Sequence, residues 1–299
     1  MKIKVCNISD SSLFEEKVCA EKAMRFLYNT RLGRAAAWAF VARSAFSRIC
    51  GIWADSRISA GAVAKFISAN NINVEEMLEQ PSSFKCFNDF FTRRLRPGSR
   101  PVAEPENPKA ISFPSDGRHL LIKGAGGDGR FFVKGRSFSL KDFLGNAKLA
   151  ARYFGGDILV SRLSPVDYHR YHYPIGGVIA ARKLVNGALY SVSPLALLKR
   201  PGILWENKRV LNFIESGEFG MCVFAQVGAT NVGSIVNFGK LGDSAVRGAE
   251  AGMFKFGGSC VLTIFPPGAR ITWNKTLEEM GSQGIECYAR ANSLAGVLS

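Results

Sequence analysis

The sequence predicts an α+β protein, with amphipathic helices first and a mostly antiparallel β sandwich or barrel-like domain after them. Three observations carry this. Apolar residues recur at helical spacing between Glu21 and Trp53. Beyond Val102 the texture changes to short apolar runs, among them GDILVSRLSP, GMCVFAQVGATNVGSI and FKFGGSCVLTIF, which read as strands. Glycines interrupt those runs at short intervals and supply the turns. The basic stretch around Pro97, Gly98 and Pro101 reads as a boundary. Two regions are therefore expected: 1–96, helical, and 97–299, rich in β structure.

Residues 1–20 read as an extended lead-in or a short edge strand. In the next segment Met24, Leu27, Tyr28, Ala35, Trp38, Ala42, Phe46, Ile49 and Trp53 share one side of a helix, flanked by Arg25, Arg34, Arg43 and Arg48. Gly33 is the expected break between two helices. Further helices are expected over Ser59–Asn70 and Val74–Leu78. The basic, aromatic stripe has two readings. It could lie in a membrane interface, rings at the acyl boundary and arginines at the phosphates. Equally, it could pack on the protein's own core. Phe26 and Phe40 fall off the main face and widen the apolar surface. In the β region, SFSLKDFLGNAKLAARYF (137–154) reads as a helix capped by Ser139.

At 299 residues the chain can bury a sizeable core, and 47% apolar with 21% charged residues is globular composition. A net charge of +15 attracts polyanions or anionic lipid surfaces. The seven cysteines contain no CxxC pair, which argues against a zinc ribbon, a redox motif or a disulfide framework and fits a reducing compartment. The N-terminus lacks the apolar run of a secretion signal, and its acidic residues argue against a transit peptide. No apolar run is long enough to span a bilayer.

Three features could carry chemistry. His169 and His172 stand three apart in SPVDYHRYHYP. They could be a metal pair, which would need further ligands that no motif supplies. They could be ordinary buried polar residues, or acid–base groups suited to neutral pH. Asp116, in FPSDGR, either forms a turn or orients a histidine. Ser259 follows Gly257 and Gly258 in a strand-like run. It is either a serine in a bulge or a hydroxyl placed to attack the carbonyl before it.

Taken in order, SDG, DYHRYH, GATNVGSI and GGS near the C-terminus resemble the phosphatidylserine decarboxylases. FFTRRLRPGSRPV and KGRSFSLKDFLGN resemble that family's upstream segments, so the likeness runs from about Cys86 to Pro267. It implies self-cleavage between Gly258 and Ser259, with His172 as the base and Asp116 orienting it. The serine becomes a covalent pyruvoyl group, the only cofactor, and no metal is implied. The mature protein would be a noncovalent pair of chains, 1–258 and 259–299, with further dimerisation left open. The pyruvoyl ketone would form a Schiff base with phosphatidylserine and release CO2 and phosphatidylethanolamine. His169 would help protonate the product, and GATNVGSI would line the site. The resemblance places the protein on an anionic membrane surface, at the cytoplasmic face of a bacterial membrane, with no nucleic-acid partner. Cys260 departs from the family's usual Ser, Thr or Val and sets a second nucleophile beside the cleavage bond. Two other classes compete. A Ser-His-Asp hydrolase would use the same residues without cutting itself, although no G-x-S-x-G elbow occurs. A basic nucleic-acid-binding protein would use only the charge.

Overall fold

The apolar runs of the second half build a ten-stranded open sheet, in a computed structural model that describes residues 3–18, 21–36, 44–125, 130–133, 136–200, 202–229, 235–257 and 259–299. Across the sheet the strands are Ser244–Ala245, Gly177–Val185, Arg209–Ser216, Gly220–Val227, Ser259–Ile264, Ile158–Leu163, Gly117–Ile122, Glu286–Ala289, Lys4–Asn7 and Leu13–Glu15. Lys4–Asn7 runs parallel to Glu286–Ala289. The other pairs in this sheet are antiparallel. The α+β reading holds, and the described strands form no closed barrel.

Side chains alternate across the sheet. Val160, Leu262 and Ile264 enter one core, covered by the short helices Leu140–Leu144, Ala147–Ala151, Pro194–Lys199 and Ile203–Glu206. Leu159, Val261 and Phe224 enter another, with Leu277 of the Lys275–Ser282 helix and Tyr171, Phe254 and Trp273 from two smaller sheets. Both faces are therefore dry. That is why the central strands read as continuous apolar runs rather than as alternating ones. Ser139 caps its helix as expected, its hydroxyl accepting from the Asp142 amide at 3.2 Å. Gly145, at φ +64°, then divides the single expected helix into two.

The N-terminal strands form the sheet's edge, as the lead-in reading allowed. Helices Glu21–Asn29 and Arg31–Ala36 break at Thr30, whose hydroxyl accepts from the Gly33 amide at 2.9 Å. Gly33 is needed for a different reason: a Cβ there would stand 2.0 Å from the Phe26 carbonyl oxygen. The apolar stripe divides. Tyr28 is buried, and Met24 and Leu27 pack beside it on the first core. Ile49 and Trp53, by contrast, are 66% and 42% exposed. Trp38, Phe40 and Ala42 lie outside the described residues. Arg57–Ala60 and Gly61–Asn70 are helical, but Val74–Leu78 is not: Met77 makes a β-bridge to Leu95 instead. No described helix is long and apolar enough to cross a membrane.

Candidate active site

The Ile158–Leu163 strand ends in a turn at Ser164-Pro165-Val166-Asp167. Proline suits the second position of such a turn. The Asp167 amide donates to the Ser164 carbonyl at 2.9 Å, and the Asp167 carboxylate accepts from the Ser164 amide at 2.6 Å. Arg118 pairs with the same carboxylate. The turn brings His169 back against the end of that strand. Its Nε2 lies 3.0 Å from the Ser164 carbonyl oxygen. A carbonyl only accepts, so Nε2 carries the proton and Nδ1 presents its lone pair. That Nδ1 lies 3.4 Å from Ser259 Oγ. Phe91 stacks on the imidazole at 3.8 Å and 24°. Burial, with the nearby Arg93 charge, pushes the His169 pKa down to about 3. The ring is therefore neutral at physiological pH and is in the tautomer a base requires.

Ser259 is fully buried and opens a central strand, paired with Leu163. Gly257 before it has φ +143°, a backbone setting that favours glycine. The helix Phe87–Phe91 sets the approach. Its Asn88 side chain accepts from the Phe256 amide at 2.7 Å and donates to Asp55 at 2.9 Å. The Phe256 ring meets Phe87 edge-on at 4.9 Å. Gly258, and Thr230–Ser234 of GATNVGSI, lie outside the described residues.

Asp116 and His172 are arranged differently. Asp116 accepts from Arg100 Nε at 2.7 Å, Arg100 Nη2 at 2.6 Å and the Ala291 amide at 2.8 Å. His172 is anchored through its main chain, donating to the Pro114 carbonyl at 2.7 Å. Its Nδ1 is buried without a hydrogen-bond partner. Burial lowers its pKa, opposed by the charges of Glu250 and Asp116. Asp116 thus acts on His172 through the field, and the hydroxyl contact of Ser259 goes to His169. His119 is a core residue, bonded to Ser161 Oγ at 2.8 Å and packed on Phe113 at 4.4 Å. Cys260 faces the opposite side of the sheet from Ser259, in the core with Leu262. Burial pushes its pKa up to about 12, so it stays a thiol and a poor nucleophile.

Phe91, Asn88, Arg100 and the Ser164 carbonyl were missed as site groups. The first three stand in FNDFFTRRLRPGSR, which read only as a helix end and a boundary.

The profile of the phosphatidylserine decarboxylase family matches residues 87–285. A Chlamydia trachomatis protein named phosphatidylserine decarboxylase proenzyme is 36% identical over 282 residues, covering 94% of this chain and 93% of its own. Proteins of the same name from Chlamydia muridarum and Clostridium novyi are each 37% identical, over 97% and 95% of this chain and 95% and 96% of theirs. The family match and these relatives define the class, carboxy-lyases that depend on a pyruvoyl group. The chain belongs to the phosphatidylserine decarboxylase family, whose known behaviour is to generate its pyruvoyl group by autocatalytic cleavage.

Proposed function

We propose that this chain cuts itself between Gly258 and Ser259 and then decarboxylates phosphatidylserine to phosphatidylethanolamine. The supporting observation is the Ser259 hydroxyl 3.4 Å from the lone pair of a neutral, buried His169. His169 Nδ1 takes the hydroxyl proton as Oγ attacks the Gly258 carbonyl, and the peptide becomes an ester. Elimination leaves a carboxyl on Gly258 and dehydroalanine at 259. Water then replaces the nitrogen, releasing ammonia and leaving the pyruvoyl group. The residues present fit that group: the serine is in place, its strand is held on both sides, and the neighbours are apolar. The pyruvoyl ketone supplies an electron sink for the substrate amine and the electrons left by CO2.

The family resemblance gives the first proton transfer to His172 and the later protonation to His169. The contact favours His169 for the first, and His172, with an unpartnered buried nitrogen, is free to hold the second proton. Asp116 holds Arg100 and Ala291 in register and supports the charged form of His172. Residues 259–299 would stay bound after cleavage through the Ser259–Ile264 strand, the Glu286–Arg162 ion pair and the Ala291–Asp116 bond. Exposed Ile49, Ile52, Trp53 and Ile58, with the net charge of +15, support docking on an anionic lipid surface.

An intact mass spectrum of the purified protein tests the proposal. Two species are expected, one of residues 1–258 and one of 259–299 blocked by a pyruvoyl group. One unbroken chain that still releases CO2 from phosphatidylserine would overturn it.

A further inference from the structure

A cavity of about 370 Å³ lies against the outer side of the histidine loop, walled by Val166, Asp167 and Tyr168. Four arginines line it: Arg93, Arg100, Arg118 and Arg290. Three have carboxylate partners. Arg100 pairs with Asp116 and Glu76, Arg118 with Asp167 and Glu16, and Arg290 with Glu76. Arg93 differs. It is only 6% exposed, yet among the described residues no carboxylate lies within ion-pair distance. Its guanidinium donates to the carbonyls of Phe90 at 3.4 Å, Val166 at 3.5 Å and Asp167 at 3.2 Å, and lies 5.0 Å from the Phe90 ring centre. The charges of Asp116 and Asp167, which also line the cavity, act on it from beyond ion-pair distance, but each is already paired with another arginine, and carbonyl dipoles and a ring compensate a buried cation only in part. A planar donor fork of this kind matches a phosphate or a carboxylate.

We propose that this cavity holds the phosphodiester of the substrate's headgroup, with Arg93 as its counter-charge. This rests on the decarboxylase reading above. The substrate brings two anions, and catalysis separates them. A guanidinium on the departing carboxylate would stabilise the ground state more than the transition state and slow the loss of CO2. The carboxylate therefore belongs with the apolar group in which Phe91 stacks on His169 and Phe256 and Phe87 pack behind it. The phosphodiester keeps its charge throughout the reaction, so binding it to Arg93 is uniform and harmless. Position agrees with this division. Val166–Tyr168 form the cavity wall, and the next residue, His169, meets Ser259. The volume suits a headgroup, with the acyl chains left outside.

The test uses the uncut Ser259→Ala chain, in which the cavity can bind but no reaction follows. Its melting temperature is measured with glycerophosphoserine and, separately, with inorganic phosphate. The expected result is a rise with glycerophosphoserine that Arg93→Gln abolishes and Arg93→Lys weakens. A second variant, Asn73→Trp, fills the cavity from its exposed side without touching Arg93 and should abolish the rise too, which keeps the test decisive if Arg93→Gln does not fold. No rise with glycerophosphoserine, or a rise with inorganic phosphate alone, overturns the proposal. So does a rise that survives Arg93→Gln or Asn73→Trp. In the wild-type two-chain enzyme, Arg93→Lys should raise KM for phosphatidylserine about tenfold with a smaller change in kcat, the pattern of a lost binding contact. These readings fail separately. A missing temperature shift counts against the cavity, and a missing pyruvoyl group in the wild type counts against the decarboxylase reading.

Discussion

His169 is kept in place by apolar contact, and Asp116 by charge. Around His169 stand Phe91, stacked at 3.8 Å, and the Ser164 carbonyl. Around Asp116 stand Arg100 and the Ala291 amide, and beyond Arg100 stands Glu76. The dry side keeps a base neutral and leaves a hydroxyl without water, which is what proton transfer from Ser259 needs. The ionic side has another task. It ties segments far apart in sequence, including 259–299, which cleavage would make a separate chain. Arg162 extends the same device, pairing at once with Glu16 at 2.6 Å and Glu286 at 2.8 Å. On the proposed mechanism, one region would change chemistry while the other would keep the change from taking the fold apart.

The sharpest break of the dry side is Ser259→Ala. It should leave one unbroken chain on a denaturing gel and remove decarboxylation altogether, because nothing else here can become the electron sink. Detectable cleavage in that variant would place the cut elsewhere. Next in size is His169→Ala, expected to slow self-cleavage by roughly 10²–10⁴-fold, the usual worth of a positioned base. His172→Ala should slow cleavage less and turnover of the cut enzyme more. Time courses of chain cleavage on gels read the first effect, and CO2 release per cut chain reads the second. The opposite ranking would return the first proton transfer to His172.

The ionic side breaks with Arg162→Met. It would leave Glu16 and Glu286 buried, with Arg118 as the nearest remaining guanidinium. Removing one partner of a buried pair costs about 3–5 kcal/mol. The urea midpoint of the two-chain protein should fall accordingly, and 259–299 should separate at lower denaturant. An unchanged midpoint would mean that the strand hydrogen bonds alone hold the small chain.

What could be read in the sequence follows the same division. Ser259, Asp116 and the histidine pair are local motifs, which residue type and order single out as candidates. Which histidine meets Ser259 was not legible. It depends on the turn at Ser164–Asp167 and on Phe91, a ring from a helix far upstream. The N-terminal stripe shows a similar limit. Met24 and Tyr28 have the same spacing as Ile49 and Trp53, but periodicity says nothing about what covers a face. The first pair meets the core beside the Pro194–Lys199 helix; in the second, Ile49 faces outward and Trp53 is only half covered, by Phe87 and Phe256. Val74–Leu78 failed as a helix because Met77 found a β partner in Leu95.

A smaller effect separates buried histidines from the chemistry. Burial holds His119 at about 3, below the usual histidine value of about 6.5. Between those values the unfolded chain binds the extra proton and the native one does not. Stability is therefore full above about pH 6.5 and is lost as pH falls towards 3. At pH 5 the loss is about 2 kcal/mol from this residue. His119→Gln should flatten the fall in urea midpoint between pH 7.5 and 5 by that amount. A fall as steep as in the wild type would show that His119 is not what titrates.

The smallest effect should come from Cys260, next to the cleavage bond in sequence and opposite to it in space. Strand alternation turns its sulfur into the core with Leu262, away from His169, and burial keeps it protonated. The carboxylate that acts on it, Glu286, is paired with Arg162, and the thiol stays protonated, so it should not compete with Ser259 for the Gly258 carbonyl. Cys260→Ala removes one buried sulfur and should cost about 1 kcal/mol in urea, with the rate of chain cleavage unchanged. A slower or faster cut would mean that the thiol reaches the bond after all, and that alternation along this strand fails at its first residue.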